Sequence, residues 1–248
     1  MRLFKRKNRP TVKELFNVSD KNAPFNYVEA YKMLCTNIEF ISVAQKCKNI
    51  MVTSTFADEG KTNCSVNLAL TLSGYGKKVC LVECDLRKPT LHRFINSKRN
   101  AEGLTDVLKG ETDTLKATRK VSDTTMSILL AGGEPPNPSE LLASEKMKQV
   151  VEELEKEYDY VIYDTPPALI VTDAAVLGKY MDGAILVVRH NHTEKNLVVK
   201  TKTNLENAGV KIFGAILNQY SQKSAGVYSG YSSYNYYYYD KKEDKTND

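Results

Sequence analysis

The sequence is poor in the residues that several protein classes require. It has three histidines, which leaves little room for histidine-based metal sites or catalytic triads. Its five cysteines form no C-x-x-C pair and have no nearby histidine, a pattern that argues against structural zinc and predicts reduced cytoplasmic thiols. No apolar run approaches the roughly 18 residues that cross a bilayer, so we expect no membrane span. The basic N-terminus has no apolar stretch behind it, which argues against a secretory signal.

The composition is typical of a folded chain with one large domain. Hydrophobic residues make up 42% of the 248 positions and charged residues 26%, a balance that supports a single sizeable core. No internal repeat is present. We predict a basic N-terminal arm over residues 1–25, a globular domain over residues 26–220 and a flexible tail over residues 221–248.

The net charge of +5 is concentrated at the N-terminus. Each cation near an anionic membrane surface contributes about 1 kcal/mol to binding, so this arm can make peripheral contact with a membrane. A solvated, mobile terminus explains the same charges equally well. No comparable basic stripe follows, which argues against nucleic-acid binding. Residues 1–13 hold no acid and six cations, which are Arg2, Lys5, Arg6, Lys7, Arg9 and Lys13.

Short apolar runs alternate with helical segments along residues 26–220. Because such runs are typical of strands buried on both faces, the pattern predicts a mainly parallel sheet with helices on both faces, a doubly wound α/β fold. Irregular chain with short helices is expected over residues 91–109. The expected strands cover residues 49–54, 78–83, 127–130, 160–163, 183–188 and 211–217. The expected helices cover residues 27–43, 61–73, 139–157, 172–180 and 194–209.

The last 28 residues, 221–248, differ from the rest of the chain because they contain almost no aliphatic side chains. A segment of this composition cannot bury enough apolar area to fold alone, so we predict a flexible tail. Seven of the 15 tyrosines of the chain lie within twelve residues of this tail, and they are Tyr228, Tyr231, Tyr234, Tyr236, Tyr237, Tyr238 and Tyr239.

A strand-to-helix junction predicts a phosphate site. The segment TFADEGKTN places Gly60, Lys61 and Thr62 after a hydrophobic strand, as the end of a P-loop requires. In such a loop Lys61 reaches the β- and γ-phosphates, and the Thr62 hydroxyl binds Mg²⁺. The motif is incomplete, because Thr55 occupies the position of the first glycine. A helix start with an exposed lysine is the alternative interpretation.

Two further strands end in carboxylates. In LVECDLR the strand ends at Glu83 and Asp85, which share a face because alternate strand residues point the same way, and Arg87 follows. In YVIYDTPP the strand ends at Asp164, which resembles a Walker B acid that holds Mg²⁺, with a strand-terminating turn acid as the alternative. Ligands of open α/β sheets bind beyond the carboxyl ends of the strands. Three such ends together predict a Mg-nucleotide site.

These residues suit phosphoryl transfer. The reaction needs cations that neutralise phosphate charge and a group that orients or deprotonates the nucleophile. Lys61, Arg87 and Mg²⁺ supply the charge, and Glu83 or Asp85 supplies the base. The phenol of tyrosine, with a pKa of about 10, benefits from such a carboxylate base. The tyrosine-rich tail is therefore predicted to be the substrate.

The chain resembles the bacterial tyrosine kinases (BY-kinases) of the capsule and exopolysaccharide type, in their stand-alone cytoplasmic form. The resemblance runs from about Val28 to the C-terminus and rests on EGKT, the Walker A′ segment LVECDLRKP, AGGEPPNPSELL, the Walker B segment VIYDTPP and the tyrosine cluster. It implies a P-loop NTPase-like fold and a kinase domain over residues 26–220. It also implies ATP and Mg²⁺ as cofactors, and autophosphorylation of the seven tail tyrosines in trans within a ring-like homo-oligomer, which regulates capsule or exopolysaccharide synthesis and export.

The resemblance also implies roles for individual residues. Lys61 and Thr62 bind phosphates and Mg²⁺, Asp164 assists the metal, and the Walker A′ acids, which take metal and base roles, map to Glu83 and Asp85. The implied catalytic set is Lys61, Glu83, Asp85 and Arg87. The implied nucleotide-binding set is Asp58, Glu59, Gly60, Lys61, Thr62, Asn63 and Asn218, and the implied metal set is Thr62, Asp85 and Asp164.

The active-site segments depart from the family pattern at two places. The first Walker A′ position, usually Asp, is Glu83, so either Glu83 or Asp85 is the base. The loop reads Ala57-Asp58 where Pro-Gly is frequent, which puts an extra carboxylate near the phosphates.

The N-terminal helix also departs from the family pattern. The family's E-x-x-R-x-x-R oligomerisation motif reads Glu29, Lys32 and Cys35 here, and lysine lacks the bidentate fork of arginine. The resemblance still implies a ring-like homo-oligomer. It also implies a membrane adaptor of the polysaccharide co-polymerase type, which recruits a cytoplasmic kinase to the inner face of the cell membrane.

Two polar residues near the expected site have two interpretations each. Asn218 follows the last predicted strand, and it fits an adenine contact, by family analogy, or a turn asparagine. Asp173 stands at the start of a predicted helix, so we favour an N-cap-region role over a supporting role beside the site.

Two other functions fit parts of the sequence. P-loop ATPases that position the division septum or segregate plasmids share the fold and the Asp-Thr-Pro turn. They carry a signature lysine five residues before the P-loop lysine, where Phe56 stands here, and they have no use for the tail. A nucleotide-dependent scaffold whose tyrosines self-associate is the second alternative. We favour the tyrosine kinase.

Overall fold

The computed structural model describes residues 17–220, which form a sheet flanked by helices. Residues 1–16 of the predicted arm over residues 1–25, and the predicted tail with its seven tyrosines, lie outside the described residues. The strands are β1 (Asn49–Ser54), β2 (Val79–Glu83), β3 (Arg119–Lys120), β4 (Met126–Leu129), β5 (Tyr160–Asp164), β6 (Gly183–Arg189) and β7 (Ile212–Asn218). The helices are α1 (Phe25–Gln45), α2 (Lys61–Gly74), α3 (Leu104–Lys109), α4 (Thr114–Ala117), α5 (Pro138–Leu142), α6 (Glu145–Glu157), α7 (Asp173–Leu177) and α8 (Lys195–Asn207).

The strand order of the sheet is β3-β4-β2-β5-β1-β6-β7. Strand β3 pairs antiparallel with β4, and all the other neighbours are parallel. Every residue of β1, β2 and β5 is buried, which explains why these strands read as continuous apolar runs rather than as alternating ones. The predicted doubly wound, mainly parallel α/β fold is confirmed.

Alternate residues of the central strands serve two separate cores. On one face Val79 and Leu81 of β2 pack in a cluster that includes residues of α1 and α2. On the other face Cys80 and Val82 pack in a cluster that includes residues of α3 and α6. The five cysteines are buried free thiols within the described residues, as the prediction of reduced thiols requires. Among residues 17–220, no helix combines the length and apolarity needed to cross a membrane.

The order of the central strands brings three strand ends to one edge. Strand β5 lies between β1 and β2, so the carboxyl ends of all three strands are neighbours. Asp164, the last residue of β5, is in register with Val52 of β1 on one side and with Glu83 of β2 on the other. The three strand ends that the sequence singled out therefore meet at the same place.

The helix predicted over residues 139–157 is wrong as a single element. The structure divides it into α5 and α6, and the break falls at Ala143 and Ser144. Ser144 is the N-cap of α6, where its hydroxyl oxygen accepts a hydrogen bond from the backbone N–H of Met147. The same hydroxyl donates to the carbonyl oxygen of Leu141 in α5, so one side chain ends one helix and starts the next. The structure also contains β3 and α4, two and four residues long, which were not predicted from the sequence.

The break between α5 and α6 generates a stability prediction. Replacing Ser144→Ala removes the N-cap acceptor and should lower the free energy of unfolding by about 1 kcal/mol. Urea unfolding followed by circular dichroism measures this change. Ser144→Asp keeps an acceptor at the N-cap and serves as the matched control. Equal unfolding midpoints for Ser144→Ala and the unmodified protein would contradict the capping role.

Candidate nucleotide site

The loop from β1 to α2 has the backbone shape of a phosphate cradle. Gly60 precedes the first helical residue with a left-handed φ of 87°, and Asp58 adopts a φ of 62°. Asp58 is exposed on the loop. The N-terminus of a fourteen-residue helix therefore opens at the end of this loop, where free backbone N–H groups favour anions.

Glu59 holds this loop from the inside. Its side chain is fully buried, and its carboxylate accepts hydrogen bonds from the backbone N–H groups of Phe56 and Arg189, at 2.7 Å and 3.3 Å, and from the Thr193 hydroxyl. These contacts tie the loop to the last residue of β6 and to the segment that follows it. The structure thus places the Glu59 side chain behind the loop rather than among the residues that line the cavity in front of it.

Lys61 is the central cation of the site. Its ammonium contacts a carboxylate oxygen of Asp85 at 3.0 Å, and both side chains are largely buried. Burial disfavours the charged form, but the carboxylates of Asp164 and Asp85 outweigh this effect and raise the pKa of Lys61 above its ordinary value. Lys61 is therefore a fixed positive charge at the mouth of the P-loop.

Asp164 joins β5 to the first turn of α2. The Thr62 hydroxyl donates to one of its carboxylate oxygens at 2.7 Å, and the Ser65 hydroxyl donates to the other at 3.2 Å. Asp164 is fully buried, and burial raises the pKa of its carboxyl group, although Lys61 and Thr62 act in the opposite direction. The structure thus brings the predicted Walker A threonine and Walker B acid into direct contact.

The oxygen atoms of this cluster fit Mg²⁺. Thr62, Asp85 and Asp164 offer hydroxyl and carboxylate oxygens, the hard donors that Mg²⁺ prefers. No group of three or more His, Cys, Asp or Glu side chains suited to a metal occurs within residues 17–220. One or two carboxylates, completed by substrate phosphates and water, are the usual protein share of a Mg²⁺ site.

Glu83 and Asp85 occupy different environments although they lie two residues apart. The Glu83 carboxylate accepts hydrogen bonds from the backbone N–H groups of Thr90, Leu91 and Ala131, the last two at 2.6 Å and 3.2 Å. Burial raises the pKa of Glu83 to about 7, against the opposing effect of these three donors. The structure thus turns Glu83 toward backbone amides and Asp85 toward Lys61.

Arg87 is held by residues from two other segments. Its Nε and Nη2 donate to the two carboxylate oxygens of Asp173 at 2.7 Å and 2.9 Å, and Nη2 also donates to the Ser139 hydroxyl oxygen at 3.0 Å. Asp173 is the first residue of α7, in the region that an N-cap role requires. Its carboxylate is nevertheless committed to Arg87, so the structure favours the supporting role that the sequence analysis ranked second.

Most of the predicted site residues line one cavity of about 600 Å³. The cavity has an apolar wall and two further cations that sequence reasoning missed, Lys88 and Arg93. Ile170, part of this wall, is 61% exposed, and an apolar run directly after the Walker B strand was the available signal for it. The predicted residues on the cavity surface are Asp58, Gly60, Lys61, Thr62, Asn63, Asp85 and Arg87, and the wall is formed by Phe94, Pro166, Pro167, Ile170 and Val171.

Asn218 lies in a second cavity that meets the first at Gly60 and Asn63, which line both. Its side-chain amide donates to the carbonyl oxygen of Glu59 at 2.8 Å, and its Oδ1 accepts from the backbone N–H of Gln219. The residue therefore connects the end of β7 to the P-loop. Its contact with Gln219 fits a turn asparagine, and its position beside the P-loop fits an adenine contact.

Comparison with known proteins agrees with this geometry. Residues 47–192 match the AAA domain family. The chain is 41% identical over 209 residues to the tyrosine-protein kinase YwqD of Bacillus subtilis, covering 84% of this chain and 85% of that protein. It is 36% identical over 213 residues to the putative tyrosine-protein kinase CapB of Staphylococcus aureus, with coverages of 85% and 89%. It spans 30% of the longer tyrosine-protein kinase wzc of Salmonella typhi.

Solved structures give the same relationship. The kinase domain of the Escherichia coli tyrosine kinase ETK superposes with a TM-score of 0.77 at 35% identity, covering 82% of this chain and 79% of that one. The septum site-determining protein MinD of Pyrococcus horikoshii, complexed with Mg-ADP, has a TM-score of 0.61 at 26% identity, with coverages of 70% and 71%. The septum-positioning ATPases are therefore more distant structural relatives than ETK.

The shape of the loop generates a prediction about nucleotide binding. Gly60→Ala forces an alanine into a left-handed conformation and drives its Cβ into the Asn218 amide nitrogen. A left-handed alanine alone costs about 1–2 kcal/mol, so we expect ATP affinity to fall by about tenfold or more. Binding of a fluorescent ATP analogue measures the loss.

The matched control for this substitution is Gly74→Ala at the end of α2. A Cβ at Gly74 meets open space, and this residue has no left-handed φ. We expect ATP affinity of the control to equal that of the unmodified protein. Unchanged affinity in Gly60→Ala would show that the loop does not hold the phosphates in this shape.

Proposed function

Because the chain belongs to the bacterial tyrosine-protein kinases, we propose that it transfers the γ-phosphoryl group of Mg-ATP to the hydroxyls of its own tail tyrosines. The predicted family resemblance and enzyme class are confirmed by these relatives. The observation that carries the proposal is a single cavity, which is lined by Lys61 of the P-loop, by Asp85 from the loop after β2 and by an apolar wall. The alternative function, a septum-positioning ATPase, has less support, because such ATPases are only distant structural relatives.

ATP binding is proposed at the loop between β1 and α2. The N-terminal amides of α2 and the Lys61 ammonium would hold the β- and γ-phosphates, as in other P-loops. Thr62, Asp85 and Asp164 would hold Mg²⁺, which supplies charge neutralisation on the phosphate oxygens when it is bound. The adenine would lie in the second cavity beside Asn218, since the two cavities meet at Gly60 and Asn63.

Asp85 is the proposed general base. Asp85 lines the cavity, where its carboxylate contacts Lys61 and accepts one backbone hydrogen bond, from the N–H of Lys88. Glu83 does not line the cavity, and its carboxylate accepts three backbone hydrogen bonds. The phenol proton of the acceptor would pass to the carboxylate oxygen of Asp85 that does not hold Mg²⁺. The phenolate oxygen would bond to the γ-phosphorus, and the bond from that phosphorus to the ADP oxygen would break. Lys61 and Arg87 would stabilise the negative charge on the transferred group.

The apolar wall of the cavity suits the ring of the acceptor tyrosine. Phe94, Pro167, Ile170 and Val171 line the same cavity as Lys61. A phenol ring has an apolar body and a polar tip, so it can pack on such a wall and direct its hydroxyl toward charged groups. An ATPase that activates water has no need of this surface.

Tail tyrosines would enter the cavity of a neighbouring copy. Tyr220 is the last described residue, and Tyr239 follows nineteen residues later. At about 3.3 Å per residue, this length spans up to about 63 Å, enough to reach another protomer. We therefore propose phosphorylation of Tyr228, Tyr231, Tyr234, Tyr236, Tyr237, Tyr238 and Tyr239 in trans.

Helix α1 is the proposed contact between copies in a ring-like homo-oligomer. Several of its large apolar side chains are exposed, among them Met33 at 68% and Phe40 at 70%. The reduced oligomerisation motif contributes less, because Lys32 pairs with Glu29 of the same helix at 2.7 Å and Cys35 is fully buried. Assembly through α1 would therefore depend on apolar contact more than on paired charges.

The cellular role follows from the family. We propose that the kinase regulates capsule or exopolysaccharide synthesis and export. It would do so at the inner face of the cell membrane, together with a membrane adaptor of the polysaccharide co-polymerase type. The six cations of residues 1–13 would add attraction to anionic lipid.

The first test of the kinase is autophosphorylation. Full-length protein incubated with Mg-ATP should gain phosphotyrosine on the tail, detected by immunoblot and located by mass spectrometry. Lys61→Met removes the phosphate-binding charge and should lower the signal by about 100-fold or more. The control Lys156→Met replaces an exposed lysine of α6 and should leave it unchanged. A protein that binds ATP yet never gains phosphotyrosine would rule out the kinase.

A second test separates the two Walker A′ acids. Asp85→Asn removes the proposed base and should lower the phosphorylation rate by about 10²–10⁴-fold. Glu83→Gln should mainly destabilise the fold, by about 1–3 kcal/mol, because its amide nitrogen accepts no hydrogen bond and leaves a buried backbone N–H unpaired. Time courses of phosphorylation measure the rate, and thermal unfolding measures the stability. Loss of activity in Glu83→Gln at unchanged thermal stability would instead make Glu83 the base.

A further inference from the structure

We propose that Asp173 and Ser139 are positioning residues that hold the guanidinium of Arg87 in the orientation required for phosphoryl transfer. This inference rests on the proposed kinase function and assigns a task to two residues outside the P-loop and the two Walker strands. It also gives a role to the segment AGGEPPNPSELL, which contains Ser139 and which phosphate binding leaves unexplained.

The contacts form a closed triangle. Arg87 donates through Nε and Nη2 to the two oxygens of Asp173, at 2.7 Å and 2.9 Å, which is the bidentate fork-to-carboxylate geometry. Nη2 also donates to the Ser139 hydroxyl oxygen at 3.0 Å, and that hydroxyl in turn donates to Asp173. Every edge of the triangle is a hydrogen bond, so the plane of the guanidinium is determined by its partners.

The positions of Asp173 and Ser139 indicate that these residues act on Arg87 and not directly on the ligand. The Asp173 side chain is fully buried, while the Arg87 side chain is 39% exposed and lines the catalytic cavity. Asp173 and Ser139 are not among the residues that line that cavity. Among residues 17–220, the Nη1 of Arg87 makes no hydrogen bond, which leaves this donor for an oxygen of the substrate.

Three separate segments have to meet for this arrangement to exist. Arg87 follows β2, Ser139 lies in the first turn of α5, and Asp173 starts α7. Helices α5 and α7 pack against each other, which brings the serine and the aspartate to the same guanidinium. The buried carboxylate of Asp173 needs a cationic partner, so its pairing holds Arg87 at this place.

Orientation matters because of what arginine does in this reaction. A planar fork makes two directed hydrogen bonds, whereas a lysine ammonium is a point charge, so the benefit of arginine depends on its plane. Donors that are already aimed at the place where charge develops stabilise the transition state without reorganising. Misplacement by about 1 Å can cost about a hundredfold in rate. Loss of Asp173 or Ser139 should therefore affect turnover more than substrate binding.

The experiment is a double-mutant cycle on the full-length protein. The probe is Mg-ATP with a synthetic peptide of residues 226–240, GVYSGYSSYNYYYYD, and the readouts are kcat, the KM for ATP and the thermal unfolding temperature. The variants are Asp173→Asn, Arg87→Lys and their combination. Ser139→Ala and Ser139→Thr are measured beside them, so that the question stays answerable if Asp173→Asn fails to fold.

We expect a defined pattern of changes in kcat and KM. Asp173→Asn and Arg87→Lys each lower kcat by about 10–100-fold with the KM for ATP nearly unchanged, and the double variant is no worse than Arg87→Lys alone. Ser139→Ala lowers kcat by a smaller factor, and Ser139→Thr restores it because the hydroxyl returns. Such non-additive loss is the mark of one residue acting through the other.

Other outcomes overturn the inference. If the fold-reductions in kcat caused by Asp173→Asn and Arg87→Lys multiply in the double variant, the two residues act independently. Lowered unfolding temperature at unchanged kcat, in Asp173→Asn or Ser139→Ala, would show a merely structural role. An unmodified protein that phosphorylates neither the peptide nor itself overturns the proposed function as well, whereas an active protein with independent effects overturns only the positioning role.

Discussion

The buried carboxylate of Asp164 is the contact on which the arrangement of the site depends. It ends the central strand β5 and is held by hydroxyls from the first turns of α2. A charge in this place is costly unless it is paired, and Lys61, Thr62 and Ser65 provide the compensation from one helix. The requirement to satisfy Asp164 therefore fixes the start of α2 against the sheet, and with it the P-loop that precedes α2.

Glu83, the last residue of β2, and Asp85, two residues beyond the strand, show how nearby acids can take different tasks. Alternate strand positions share a face, yet Glu83 has the longer side chain and reaches the backbone N–H groups of Thr90, Leu91 and Ala131. It thereby fastens the chain that follows β2 to the end of β4. Asp85 is shorter, lies beyond the strand, and meets Lys61. Glu83 stabilises the edge of the site, while Asp85, which is largely buried, lines the cavity.

Sequence patterns predicted the central fold well because β1, β2 and β5 are buried on both faces and read as unbroken apolar runs. They also located the P-loop and the strand-end acids, since these are local motifs. The break at Ser144 was missed because the apolar spacing of α5 and α6 allows a single helix. The pairing of Arg87 with Asp173 could not be predicted from the sequence, because 86 residues separate them and only the packing of α7 brings them together.

The cavity surface explains how a P-loop fold shared with septum-positioning ATPases can serve a tyrosine kinase. The phosphate-binding half comes from the sheet and α2, whose geometry is common to the wider group. The other half comes from loops after β2 and β5, which contribute Arg87, Phe94, Ile170 and Val171. Fold alone does not determine function, because function depends on such locally built sites. The apolar residues that line the cavity together with Lys61 belong to these loops and not to the P-loop. The proposed preference for a phenol over water would therefore reside in the loops.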